Sequence, residues 1–292
     1  MKKILIIVEN NTAPLDVRVW REALTLRDHG YEVTILCPRN TSTCGHAGEW
    51  RKRYEMLDGV HIYRHPAAPE AHGAMGYVLE YGTALFWTFV YCWWIYFRRG
   101  FQVIQGCNPP DTIVLIAFLF RFFGVRYIFD HHDVVPELYV SKFGRRDAFY
   151  RLQVFLERLT FRFSDVVMST NESYREIALL RGGLDPEDVF VVRNGPDLKT
   201  FRAVEPNPSH KRGKDFLVGY VGRMGHQEGL DILLDVASYV RSAGRTNVQF
   251  TCVGSGTALP NLKSAARAKS LEETVTFTGW ISDEEMIEVL ST

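Results

Sequence analysis

The chain has 292 residues, 46% of them hydrophobic, which is enough to form two hydrophobic cores. Its 34 lysine and arginine residues balance its 34 aspartate and glutamate residues, so the composition argues against a protein that binds nucleic acid. The five cysteines form no C-x-x-C pair, which excludes a disulfide framework and indicates a reducing, cytoplasmic environment. Cys37, Cys44 and His46 lie close together in sequence, but three ligands without a fourth do not predict a metal site.

The N-terminal residues predict a strand, a helix and a second strand. Residues 3–8 form an apolar strand rather than a signal peptide, because Glu9 ends the run before the apolar stretch of about 7–15 residues that a signal requires. A helix follows from Val17 and ends near Gly30, and residues 31–36 form the next strand. This order predicts a parallel sheet with the loop at residues 9–16 at its carboxyl edge, where such sheets bind ligands.

Residues 81–97 form an uncharged segment rich in Phe, Trp and Tyr, and two arginines follow it. The length lies at the lower limit for a membrane-spanning helix. A span would place the flanking strand-helix units on opposite sides of a membrane, so we reject it. A buried core helix and a helix lying in the membrane interface both remain open, and the aromatic residues and flanking arginines are consistent with the second.

A group of ionisable residues follows the strand predicted at residues 126–130. It contains His131, His132, Asp133 and Glu137, and it lies at the carboxyl end of the strand. Histidine beside a carboxylate is typical of general acid-base catalysis, although a loop whose histidines bind the backbone fits equally well. Residues 139–150, which are basic and aromatic, are interpreted as a loop that is either solvated or in contact with anionic lipid or a phosphorylated acceptor.

Further strands and helices complete a Rossmann-like half. Helices are predicted at residues 152–163 and 172–180, and strands at 165–168 and 189–192. The proline-rich, charged stretch at 204–213 is typical of a linker. We therefore expect an N-terminal domain at residues 1–203, a linker at 204–213 and a partial second domain at 214–292.

A strand, a glycine-rich turn and a helix open the second domain at residues 217–235. Gly222, Gly225 and Gly229 allow close approach of a ligand to the backbone, and the start of the following helix favours an anion. Arg223 lies in this turn and can bind two oxygens of a diphosphate. The spacing matches neither G-x-G-x-x-G nor a P-loop, so an ordinary strand-helix turn remains an alternative. Two more strands, at 249–253 and 275–277, are few for a parallel sheet covered on both faces.

Six segments resemble, in order, the family 4 glycosyltransferases that have two Rossmann-like domains. They are residues 16–23 with 30–34, His132-Asp133, residues 192–201 including Asp197, residues 221–229, residues 253–256, and residues 277–280. The resemblance implies an α/β fold with two Rossmann-like domains facing a cleft, the GT-B arrangement, of which the second is incomplete.

The resemblance also implies a function. It is the transfer of a sugar, with retained anomeric configuration, from a nucleotide diphosphate sugar to a polysaccharide or lipid-linked acceptor, without a metal or another cofactor. His132 and Asp133 would be catalytic, and Asp16, Arg18 and Glu137 would lie near the acceptor. The donor would be bound by residues of the second domain and the segment before it: Asn194, Gly195, Gly222, Arg223, Gly225, Glu228, Gly254, Ser255 and Gly256.

Three features depart from the family pattern. Glu228 stands where the family has a lysine, and Asn10-Asn11-Thr12 replaces a glycine pair in the first loop. The chain also ends before the family's E-x7-E segment, so we expect a fragment of a longer protein. The alternatives are a nucleotide-sugar epimerase and a non-catalytic, membrane-associated subunit. We expect a cytoplasmic protein at the inner face of the membrane, with peripheral contacts through residues 77–99 and 139–150.

Overall fold

The computed structural model describes residues 2–40, 49–68, 73–196, 198 and 201–292, and for residues 73–78 it describes the helical backbone alone. Cys44, His46 and Asp197 therefore lie outside the described residues. The chain divides into two compact units, Met1–Asn194 and Gly195–Thr292.

The first unit contains an eight-stranded sheet with the order β3-β4-β2-β1-β5-β6-β7-β8. All neighbouring strands are parallel except β3 and β4, which form a hairpin through Asp58 and Gly59, both at positive φ. The sequence did not predict β3, because its residues lie on an edge and are mostly exposed. The strands are β1 (Lys3–Val8), β2 (Glu32–Pro38), β3 (Tyr54–Leu57), β4 (Val60–His65), β5 (Val103–Cys107), β6 (Arg126–His131), β7 (Val166–Ser169) and β8 (Val189–Val191).

Helices cover both faces of this sheet, as the alternation of β1 side chains shows. Leu5 and Ile7 belong to one hydrophobic core, while Ile4, Ile6 and Val8 belong to a second core on the opposite face. The parallel sheet and its two cores confirm the Rossmann-like first half. The helices are α1 (Val17–Asp28), α2 (Gly73–Arg99), α3 (Ile113–Arg121), α4 (Val135–Phe143), α5 (Ala148–Phe163) and α6 (Glu172–Gly182).

The segment 139–150 is not a loop, so that part of the prediction was wrong. It contains the end of α4, a short turn and the start of α5. Gly144 ends α4 at a φ of 66°, and the Asp147 side chain accepts hydrogen bonds from the N–H groups of Phe149 and Tyr150 at the start of α5. These caps stabilise the ends of the two helices. The basic residues of the stretch interrupt the apolar periodicity from which a helix would be predicted.

The aromatic helix α2 has one buried and one exposed face. Cys92 and Ile95 are buried in the core, whereas Phe86, Trp94 and Phe97 are exposed by 58%, 46% and 79%. Across the described part of the chain, no helix combines the length and the apolarity that a membrane span would need. The buried face confirms a core helix, and contact of the exposed face with a membrane stays a prediction.

The second unit contains a three-stranded parallel sheet with the order β11-β10-β9. Its strands are β9 (Phe216–Val221), β10 (Val248–Val253) and β11 (Val275–Gly279), and its helices are α7 (Leu230–Ser242), α8 (Leu259–Ala268) and α9 (Asp283–Ser291). Residues 204–207 pack against α9, where the Asn207 side chain donates to Glu288 at 3.0 Å. Strand, glycine turn and helix follow one another at residues 216–242 as predicted, and the α/β fold class is confirmed.

Candidate active site

The candidate site of the first unit lies at the carboxyl ends of β5 and β6. Because these strands are parallel neighbours, the residues that follow them lie at the same edge of the sheet. Asn108, which follows β5, accepts hydrogen bonds from the N–H groups of His132 at 2.7 Å and Asp133 at 3.1 Å. The asparagine thereby holds the backbone of the loop in which His132 lies.

The His132 side chain is bound to Asp130, the fully buried carboxylate near the end of β6. His132 Nε2 lies 2.7 Å from Asp130 Oδ2 and 3.0 Å from Arg18 Nε. A protonated Nε2 donates to the carboxylate, and an unprotonated Nε2 accepts from the guanidinium. Among the described residues, none forms a hydrogen bond with His132 Nδ1, and the side chain is 12% exposed. Nδ1 is therefore the nitrogen that could meet a substrate.

Arg18 is a buried cation that joins the first helix to two distant segments. Its Nη2 donates to Asp130 Oδ1 at 2.7 Å, and its Nη1 donates to Val192 O at 2.6 Å and to Asn194 Oδ1 at 2.9 Å. Its Nε also lies 3.2 Å from a carboxylate oxygen of Glu22. Arg18 was predicted to lie near the acceptor and Asn194 near the donor; the structure brings both into the network of His132.

Burial and ion pairing set the protonation of this network. Burial alone would raise the pKa of Asp130, but its hydrogen bonds and charge interactions with His132 and Arg18 lower that pKa to about 2. Burial opposes the protonation of His132, yet Asp130 outweighs it and raises the histidine pKa. Burial, aided by the charge of Asp130, raises the pKa of Glu22 to about 8. At neutral pH the network therefore contains a charged Asp130 and Arg18 and a protonated Glu22.

Cys107, Asp130 and His132 offer ligand atoms that all lie within 4.8 Å of one another. Burial raises the pKa of Cys107 well above its usual value, so the thiol remains protonated and is a poor ligand. The guanidinium of Arg18 already lies against both Asp130 and His132. This donor set therefore suits a hydrogen-bond network around a buried arginine better than it suits a divalent cation.

The remaining first-unit candidates have structural partners. Asp16 caps α1, where its Oδ1 accepts from the N–H of Val19 at 3.1 Å. The backbone of Asp133 is held by Asn108, which accepts from its N–H at 3.1 Å and donates to its carbonyl at 2.7 Å, and burial raises the pKa of its side chain. Glu137, on α4, pairs with Arg181, which also binds the fully buried Glu157 at 2.6 Å. These contacts do not link Glu137 to the network of His132.

Sequence reasoning missed the polar residues that support the histidine. Gln105 Nε2 donates to Glu22 Oε2 at 2.6 Å and lies 3.3 Å from Asp130 Oδ2. Gln105 lies inside an otherwise apolar strand, and Asp130 follows the apolar residues Tyr127, Ile128 and Phe129 of β6. That pattern was the available signal, because a buried polar residue needs a partner.

The glycine turn of the second unit presents Arg223 to solvent. Arg223 is exposed, and within the described residues no ion pair or hydrogen bond engages its side chain. Its carbonyl accepts from Tyr220 Oη at 2.9 Å and from the N–H of Gly225 at 3.1 Å. Gly229 has a φ of 70° and directly precedes α7. Glu228 is also exposed, and burial together with the charge of Glu228 raises the pKa of Tyr220. A free cation and a carboxylate thus lie in the same turn.

Gly254 and Gly256 are required because two backbone turns pack directly against each other. A Cβ atom on Gly254 would lie 2.0 Å from Gly222 O, and one on Gly256 would lie 2.3 Å from Met224 O. The N–H of Met224 donates to Ser255 O at 3.0 Å across the same contact. The two turns predicted to bind the donor therefore lie side by side at the carboxyl edge of the second sheet.

Two protein-family domains together match almost the whole chain. The glycosyl transferase 4-like domain matches residues 15–195, and the glycosyl transferases group 1 domain matches residues 201–292. The fold and the matched domains are those of the GT-B class of glycosyltransferases. The chain belongs to the glycosyl transferase 4-like family, which confirms the resemblance of its motifs.

Two curated relatives match parts of this chain at less than 30% identity. One of the subunits of phosphatidylinositol N-acetylglucosaminyltransferase from Arabidopsis thaliana is 26% identical over 199 residues, which are 67% of this chain and 41% of that protein. Alpha-maltose-1-phosphate synthase of Mycolicibacterium smegmatis is 29% identical over 123 residues, 39% of this chain and 32% of the relative. The chain thus spans less than half the length of these relatives.

Solved structures share the fold at low identity. Sucrose-phosphate synthase from Thermosynechococcus elongatus has a TM-score of 0.76 at 15% identity, covering 100% of this chain and 73% of that one. Anabaena HepE, solved in complex with UDP and glucose, has a TM-score of 0.64 at 15% identity, covering 97% and 70%. These likenesses confirm the fold class.

Proposed function

We propose that this chain carries the acceptor-side domain and nucleotide-sugar-binding residues of a retaining glycosyltransferase. The observation that carries the proposal is His132, whose Nε2 is held by a buried carboxylate and arginine while its Nδ1 has no protein hydrogen bond among the described residues. A histidine oriented in this way can bind a hydroxyl of the transferring sugar or of the acceptor. Asp133 would lie beside the same substrate.

In this proposal the second unit binds a nucleotide diphosphate sugar. Arg223 is exposed and unpaired among the described residues, and the turn that contains it leads into α7, whose first N–H groups favour an anion. Anabaena HepE, which has the same fold, was solved with UDP-glucose. Arg223 would neutralise the leaving diphosphate, a role worth about 3–4 kcal/mol for one well-placed donor, without a metal ion. Gly195, Ser255 and Gly256 would approach the nucleoside through their backbone.

We further propose a lipid-linked or polysaccharide acceptor at the cytoplasmic face of a membrane. One relative is named as a phosphatidylinositol N-acetylglucosaminyltransferase, and the structural neighbour WaaG is described as involved in lipopolysaccharide biosynthesis. The exposed aromatic face of α2 and the basic residues between α4 and α5 suit an anionic lipid surface. In this proposal the acceptor-side domain comprises residues 1–203, the linker residues 204–213 and the nucleotide-sugar-binding domain residues 214–292.

Saturation-transfer NMR with UDP-, GDP- and ADP-sugars tests the donor site directly. We expect one nucleotide sugar to give transfer signals that Arg223→Ala reduces by at least tenfold. Arg245→Ala, an exposed arginine of the same unit, is the matched control and should leave the signals unchanged. If none of these donors binds, or if the two variants behave alike, the proposed function is wrong.

A second candidate is a non-catalytic component of a larger glycosyltransferase. Glu228 favours it, because a carboxylate in the glycine turn repels a diphosphate. Radiolabelled sugar transfer by the chain to a lipid extract separates the two functions. Sugar transfer supports the catalytic function, whereas donor binding without transfer supports the non-catalytic component.

A further inference from the structure

The first unit contains a groove outside the hydrogen-bond network of His132. It has a volume of about 230 Å³ and lies between α2, the turn after β5, the start of α4 and the N-terminal half of α5. Its lining is largely apolar and includes Tyr81, Leu85, Val135, Phe149, Leu152 and Leu156. An open groove with this lining suits the apolar part of a ligand.

One residue connects the groove to the loop that carries His132. Asp111 lines the groove, and its Oδ1 accepts a hydrogen bond from Asn108 Nδ2 at 3.1 Å. The same asparagine accepts the N–H of His132 at 2.7 Å and donates to Asp133 O, also at 2.7 Å. A ligand in the groove therefore lies one side chain away from the proposed catalytic loop.

Two polar groups of the lining lack partners. Thr112 Oγ1 and Gln153 Oε1 are buried and form no hydrogen bond with any described residue. Leaving such a group unsatisfied costs about 1–3 kcal/mol. A ligand hydroxyl could satisfy either group, because a hydroxyl donates and accepts. The lining thus fits a ligand that is apolar over most of its length and polar at one end.

Cations and exposed apolar side chains lie next to the groove along the chain. Lys142, Arg145 and Arg146 fall between the starts of α4 and α5, and both of these helices line the groove. On α5, Leu152 and Phe155 are exposed by 48% and 59%. Basic residues beside exposed apolar residues are complementary to an anionic lipid.

We propose that this groove binds the apolar chain of a lipid-linked acceptor, with the polar end of the acceptor at Thr112 and Gln153. The assignment of the ligand as an acceptor rests on the proposed function. Binding in the groove provides a separate measurement, because it requires neither a nucleotide sugar nor transfer.

Gly82 offers a way to fill the groove without disturbing the fold. It lines the groove from α2, and a Cβ at this position would meet no atom within 4 Å. Gly82→Trp therefore adds a large side chain at an open helical position, and Gly82→Leu is a milder variant should the first fold poorly. Leu79→Trp is the matched control, because Leu79 is 59% exposed on the same helix and does not line the groove.

The probe is a ten-carbon alkyl phosphate with a diazirine at its far end, photo-cross-linked to the chain and mapped by mass spectrometry. We expect adducts at residues 81–85 and 149–156, reduced at least tenfold in Gly82→Trp or Gly82→Leu and unchanged in Leu79→Trp. Adducts that both Gly82 variants leave unchanged, or that are equally abundant at exposed Phe118 and Phe122 near the end of α3, overturn the proposal and indicate surface contact only. Cross-linking without donor binding would reject the proposed function alone.

Discussion

His132 Nε2 lies 2.7 Å from Oδ2 of Asp130, a carboxylate with no exposed surface. The carboxylate fixes which ring nitrogen faces the protein, so the opposite nitrogen, Nδ1, is left for a substrate. Arg18 binds the second oxygen of the carboxylate and prevents it from being an unpaired buried charge. The histidine is thus oriented by an ion pair that forms outside its own loop.

Asp130→Asn should lower the pKa of His132, because it removes the negative charge that raises this pKa against the effect of burial. We expect the histidine to titrate below its ordinary pKa in an NMR titration, and sugar transfer to fall about 100-fold as its orientation is lost. Asp28→Asn, at an exposed position, is the control. An unchanged His132 pKa would contradict the proposed orientation.

The same substitution should destabilise the first unit. It leaves the buried guanidinium of Arg18 without its main countercharge, and breaking a buried ion pair by removing one partner costs about 3–5 kcal/mol. Urea unfolding of wild type and Asp130→Asn at pH 7 measures the difference. A loss well below this range, under about 1 kcal/mol, would show that Glu22 replaces the missing carboxylate.

The contribution of Glu22 to stability should fall as the pH rises from about 5 to 8. The pKa of Glu22 is raised to about 8 in the folded chain, whereas in the unfolded chain it is about 4.3. Between these two pH values the folded state binds more protons than the unfolded state. The contribution of Glu22 to the free energy of unfolding therefore decreases across this window, by an amount on the order of a few kcal/mol. Glu22→Gln removes this contribution, so urea unfolding should show a less steep fall in stability than in the wild type; an equally steep profile would contradict the raised pKa of Glu22.

Gly254→Ala should destabilise the second unit. Gly254 has a φ of 120°, and the added Cβ would lie 2.0 Å from Gly222 O, so the two turns must separate. We expect a loss of about 2–3 kcal/mol and weaker donor binding. Gly219→Ala is the control, because the nearest atom to its Cβ would be 3.9 Å away. Thermal unfolding of both variants decides the prediction, and equal melting temperatures would refute it.

Arg181→Ala should reduce stability by about 3–5 kcal/mol, because it leaves the buried Glu157 without a countercharge. Glu137→Gln should have a smaller effect, since the Glu137 side chain is 44% exposed. Urea unfolding gives both values. If Glu137 contributes only to this ion pair, its substitution should leave sugar transfer unchanged; a large loss of transfer would instead support its predicted place near the acceptor.

Local patterns in the sequence were sufficient for most of the fold. Apolar runs of five residues at 4–8 and of three at 127–129 predicted the strands at 3–8 and 126–130, and the glycines at 222–229 predicted the turn before α7. The edge strand β3 and helix α4 escaped prediction. β3 has exposed side chains, and the basic residues around Gly144 obscured the helix ends. Edges and caps depend on few residues, so periodicity detects them poorly.

By itself, the sequence determined the order of strands and helices, the glycine turn with Arg223, and the motifs that place the chain in its family, because these features depend on neighbouring residues. Only the tertiary structure decided that Arg18 is an internal cation, since its partner Asp130 lies 112 residues away. That contact requires β1, β5 and β6 to be adjacent and parallel. The order of strands in a sheet is set by packing over the whole core, which local periodicity does not record.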